Sequence, residues 1–185
     1  MSAIDSTLFN AIAHQADPKR AVESFLAWLT SNATATQALR TWCSAHGIGN
    51  GAIEARVVQH LTQSVAADKN TCTTHRARRV VALVSGDVVV STATLDYNPD
   101  LLNAAALREL NETARPFGDV IAPLKPTRHV TNATIDADIL KPSALKLTAD
   151  AIIADVTADV ITEDGAVLAS AREAYRASLI LPILN

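Results

Sequence analysis

Hydrophobic positions recur at helical spacing early in the chain and at strand spacing through most of the rest. Asp17-Pro18 is a helix start, with Asp17 as the cap and Pro18 at the first helical position. Over residues 19–29 it places Val22, Phe25, Leu26 and Leu29 on one face, which predicts a core-facing helix. Thr34 or Thr36 can cap a second helix over 37–46, with Leu39 and Trp42 on its apolar side and Gly47 as its terminator. Gly49-Asn50-Gly51 is a turn, and 52–61 reads as a strand. Residues 64–74 are polar, carry no period and read as a loop. Two β-rich runs, 75–84 and 88–97, joined by Ser85-Gly86-Asp87, predict a hairpin. Asn98-Pro99-Asp100 breaks that run and opens a helix over 101–111. Arg115-Pro116-Phe117-Gly118 is a bend before a short turn, 119–121. Residues 127–135 read as a strand, and 139–145 as a helical or irregular link. A second hairpin closes the chain, 148–162 and 166–181 around Glu163-Asp164-Gly165.

Long strands joined by tight turns, with helices gathered in the first half and the middle, predict an α+β fold rather than alternating βαβ units. The expectation is a single antiparallel sheet of about six strands with helices on one side. The whole of 1–185 reads as one domain, with 1–16 a peripheral N-terminal helix. The composition is globular, 49% hydrophobic and 19% charged, and 185 residues suffice to bury a core without disulfides or metal. A net charge of -3 offers no concentrated positive field for nucleic acid. No secretory segment opens the chain and no apolar run reaches a membrane span, so the protein is expected in the cytoplasm with Cys43 and Cys72 reduced. Cys72-Thr73-Thr74-His75 has ligand-like spacing but no second pair to complete a zinc site, and no metal is expected.

Two charged positions stand out. His75-Arg76-Ala77-Arg78-Arg79 is the densest positive cluster. Strand alternation puts Arg76 and Arg78 on one face and Arg79 with Val81 and Leu83 on the other. Arg78 opens the wholly apolar run 80–84, and a buried guanidinium needs an anion, so a ligand carboxylate and a solvated strand edge are both open for this cluster. Glu173 shares its parity with Ala171, Tyr175 and Ala177. A carboxylate among such neighbours serves a ligand hydroxyl, acts as an acid or base, or pairs with a nearby arginine.

Four segments in order resemble the chorismate pyruvate-lyase family of the chorismate lyase-like superfamily. They are Leu26-Ala27-Trp28-Leu29 with Asn32 to Thr36, Arg78 to Gly86 with Thr92 to Leu95, Arg115 to Asp119 with Thr127-Arg128, and Gly165 to Glu173. The resemblance implies a cofactor-free enzyme that eliminates pyruvate from chorismate to give 4-hydroxybenzoate, with the ring acid enclosed beneath flaps. It gives Arg78 the ring carboxylate and Glu173 the opposite end of the ring as the catalytic pair. It places Ala35, Thr92, Phe117 and Arg128 around the substrate. Ala35, Thr92 and Phe117 depart from the residues the family usually has at these places, which leaves the substrate open. Two further readings go with the same fold: a non-catalytic module that binds a small effector, and a relative forming 3-hydroxybenzoate.

Overall fold

The computed structural model describes residues 17–65, 74–137, 139 and 147–184. The expectations for 1–16, Cys72 and nearly all of the 139–145 link lie outside them. Helix α1 (Pro18–Thr30) starts as the sequence predicts, with the Asp17 carboxylate accepting from the Lys19 amide at 3.1 Å. Helix α2 (Ala35–Ala45) takes Thr34 rather than Thr36 as its cap, the Thr34 hydroxyl accepting from the Gln37 amide at 3.2 Å. Gly47 follows at φ 64°, and the chain enters β1 (Glu54–Val65).

β1, β2 (Thr74–Ser85) and β3 (Val88–Tyr97) form a meander. β1 is longer than the sequence predicts: the polar residues 62–64 and then Val65 continue the ladder, because pairing with β2 supplies what hydrophobic period does not. The predicted helix over 101–111 splits. Asn98 caps a 3-10 turn, and the Asn103 side chain accepts from the Ala106 amide at 2.8 Å, restarting the chain as α3 (Ala104–Glu112). An Asn side chain that satisfies a first-turn amide fixes a helix start there. The bend at 115–118 becomes α4 (Phe117–Ile121). β4 (Thr127–Ile135), β5 (Ile152–Ile161) and β6 (Val167–Arg176) complete the sheet, and α5 (Leu181–Leu184) follows.

The six strands run antiparallel in the order β1-β2-β3-β6-β5-β4, so the two hairpins meet at β3 and β6. One face of the sheet is buried. Its rows are legible in the register: Val81 opposite Ala93 opposite Glu173 opposite Val156, and Arg79 opposite Leu95 opposite Ala171 opposite Ala158. Against one half of this face pack Val22, Phe25 and Leu29 of α1 and Leu39 and Trp42 of α2. Leu110 of α3 and Phe117, Val120 and Ile121 of α4 pack against the other half. Helices α1 to α4 therefore lie on the same side, the α+β arrangement expected from the order of strand and helix runs. The opposite face carries Arg78, Asp96, Ser170, Asp159 and His129 in one row across five strands. Among the described residues no helix is long and apolar enough to cross a membrane.

Candidate functional site

Between the buried face of the sheet and the helix layer lies a cavity of about 50 Å³. Val81, Leu83, Ala93, Leu95 and Ala171 form its floor; residues 33–36 and 116–118, with Ile121 and Pro126, form its roof. The roof is where α2 and α4 begin. Their first turns approach so closely that a Cβ on Gly118 would stand 2.9 Å from Thr36 Oγ1 and 3.3 Å from Thr34 Cβ. The first turn of any α-helix holds N–H groups without intrahelical acceptors and carries partial positive charge. That turn of α2, Ala35 and Thr36, lies on the cavity.

One end of the cavity is a buried polar network. Glu173 Oε2 accepts from Arg128 Nη2 and from the Tyr175 hydroxyl, the latter at 2.7 Å. Both ion-pair side chains are almost entirely removed from water, and Tyr175 is fully buried. Burial, with the Glu173 charge as the next cause, holds the Tyr175 phenol well above its ordinary value, so it stays a donor. Arg128 reaches Glu173 from β4, across β5, the neighbour of both strands. Of the alternatives left open for Glu173 by sequence, the structure shows the arginine pair.

The arginine in the buried layer is Arg79. It is fully buried, level with Leu95, and its Nη1 donates to the Arg115 carbonyl at 3.3 Å, just before the roof segment. Its Nε and Nη2 have no partner among the described residues. Burial pushes this guanidinium below its ordinary value, partly offset by the Tyr97 phenol nearby. Beside it, His60 Nε2 and the Tyr97 hydroxyl are 2.8 Å apart, and Tyr97 packs its ring on Phe117 with centroids 5.4 Å apart.

These positions correct part of the expected site. Arg78 is not at the cavity. It points from the other face, exposed, with Nε and Nη2 held by the two oxygens of Asp96 at 2.7 and 2.9 Å. The reason is parity: Ala77, Arg79, Val81 and Leu83 face the helices, so Arg78 cannot. Thr92 is also on the outer face, between Ala82 and Ala174. Glu173, Arg128, Ala35 and Phe117 all line the cavity. Arg79 was within reach of the sequence, since its alternation with Val81 and Leu83 was visible; the resemblance led instead to its neighbour. A larger open groove of about 640 Å³ passes Arg78 and Asp96 on the outer face, but there the arginine and the carboxylate already satisfy each other.

No protein-family model matches the chain, and no curated protein matches it. Among solved structures, similarity is found to the effector domain of PhnF from Mycobacterium smegmatis, with TM-score 0.44 and 13% identity over 78% of this chain and 89% of that one. It is also found to a GntR-family transcriptional regulator from Enterococcus faecalis V583, with TM-score 0.39 and 13% identity over 67% of this chain and 94% of that one. Likeness of this degree carries no argument about function, which rests on the site itself.

Proposed function

We propose that the protein is a binding domain for a small organic anion, held between the sheet and the first turns of α2 and α4 without being chemically changed. The observation that carries this reading is Arg79, a fully buried guanidinium with two nitrogens unpaired among the described residues, one strand beyond the Leu95 wall of the cavity. An unpaired buried charge is costly, and a carboxylate or phosphate satisfies two guanidinium N–H groups at once. The cavity as it stands is too small for an aromatic acid, since benzene alone occupies an apolar cavity of about 150 Å³. The ligand enters when the roof at 116–118 lifts. Arg79 holds that segment through Nη1 and the Arg115 carbonyl, which leaves Nε and Nη2 for the two oxygens of the anion.

The second reading is the lyase. Glu173 favours it, as a carboxylate in the cavity wall. With Arg128 and Tyr175 both on Oε2, an acid or base role requires that network to open first. One set of experiments separates the readings. Thermal unfolding is followed with 4-hydroxybenzoate, 3-hydroxybenzoate and a sugar phosphate, and chorismate incubations are assayed for pyruvate and for the ring product. The expected result is stabilisation by an anion without turnover. A ligand at a hundred times its Kd adds about 2.7 kcal/mol. Arg79→Met abolishes the stabilisation and Arg78→Met preserves it. Loss with Arg78→Met alone, or no response to any anion, sinks the proposal. Pyruvate release establishes the lyase in its place, and the ring product then tells the 4-hydroxy from the 3-hydroxy isomer.

A further inference from the structure

β1 carries a bulge between Val57 and Gln59, and the bulge resets which way its side chains point. Val57 pairs with Val81 on the helix side of the sheet, and plain alternation would put Gln59 there next. Instead Gln59 pairs with Val80 and His60 with Arg79, so the imidazole stands on the helix side, directly opposite the buried guanidinium. Its Nε2 lies 2.8 Å from the Tyr97 hydroxyl, and the Tyr97 ring packs on Phe117 in the roof of the cavity. The titratable groups that face His60 are therefore Arg79 from β2 and Tyr97 from β3. The segment covering this edge, whose Ala114 carbonyl accepts from the Ala55 amide, carries Arg115, and that guanidinium is held by Glu109 of α3 and the Asp119 carbonyl of α4.

We propose that His60 takes up a proton when an anion settles on Arg79, so that the domain holds its ligand more tightly as the pH falls. This rests on the anion-binding reading above. Like charges directly opposite each other on neighbouring strands repel. In the ligand-free protein that repulsion acts on His60: burial first, and then Arg79, hold it below its ordinary value. An anion on Nε and Nη2 of Arg79 offsets the second cause, and an imidazolium opposite the guanidinium is then drawn to the bound charge. Tyr97 lets the proton arrive without a broken contact, because a phenol hydroxyl donates to a neutral imidazole nitrogen and accepts from a protonated one. His60 is half-buried, so the proton reaches it from solvent. By linkage, whatever the anion adds to proton affinity, the proton adds to anion affinity.

Calorimetric titrations between about pH 5.5 and pH 8, where histidine titrates and carboxylates stay ionised, test this. The probes are 4-hydroxybenzoate, 3-hydroxybenzoate and a sugar phosphate, the last corrected for its own titration by comparison with His60→Gln. Affinity is expected to rise toward the acid end, by about tenfold for each pH unit through which the bound anion moves the His60 midpoint, and His60→Gln is expected to lose that rise. An NMR titration of the His60 ring in the unmodified protein reads the midpoint directly, however the variant folds, and saturating anion is expected to move it upward. Affinity that ignores pH, a rise of equal size in His60→Gln, or a midpoint that stays or moves down overturns the coupling while anion binding stands. No binding of any probe at any pH overturns both.

Discussion

Arg128 and Glu173 neutralise each other where neither could stand alone. Removing one partner leaves a buried, uncompensated charge, which costs about 3–5 kcal/mol, whereas replacing the whole set by apolar groups is close to neutral. Arg128→Met is therefore expected to destabilise by that amount in denaturant titration, and the triple replacement Arg128→Met, Glu173→Leu, Tyr175→Phe to recover most of it. Arg79 behaves in the opposite sense. Its guanidinium has donors unmet among the described residues, each worth about 1–3 kcal/mol when buried. Arg79→Met should raise the melting temperature of the ligand-free protein while removing its response to anions; a lower melting temperature would mean that the cation supports the fold. At this scale the sequence was informative about kind and less so about address. Parity put Glu173 among apolar neighbours and Arg79 with Val81, but no pattern within one strand shows that Arg128, forty-five positions earlier, reaches Glu173 across β5.

At the level of elements, the roof depends on two short first turns set side by side. Gly118 permits this, because a methyl there would press on Thr36 and Thr34. Gly118→Ala is expected to cost about 1–3 kcal/mol, the usual penalty of forced overpacking, and to widen the cavity mouth. Faster ligand association alongside a lower denaturation midpoint would show both effects. The hairpins and both opening helices were legible because turn glycines, caps and alternation agree there. The single helix expected over 101–111 was not, since Asn103 satisfies a first-turn amide and so restarts the chain, an effect that hydrophobic period does not register. The ends of β1 were missed for a related reason: its last turn of sequence is polar, and its strand state comes from β2 rather than from itself.

The whole molecule couples this buried chemistry to pH. His60 is held below its ordinary value of 6.5, first by burial and then by Arg79, and His46 is lowered by burial. A histidine whose folded value is depressed leaves the unfolded chain the better proton acceptor, so stability is complete above about pH 6.5 and falls as the pH drops toward the folded values. Melting temperature should decline through that window, and His60→Gln should shrink the decline; an equal decline in the variant would place the proton uptake elsewhere. The helix layer also reports on itself. Both tryptophans of the chain lie in it, and each indole is tied to backbone: Trp28 Nε1 donates to the Ala38 carbonyl at 3.0 Å, and Trp42 Nε1 to the Leu179 carbonyl at 2.9 Å. Ala38 sits one turn inside α2, the helix whose first residues roof the cavity. Trp42 is itself part of α2, so any tilt of α2 that admits a ligand disturbs both indoles, Trp28 through its acceptor and Trp42 directly, and the unlabelled protein carries an intrinsic fluorescent gauge of its own opening.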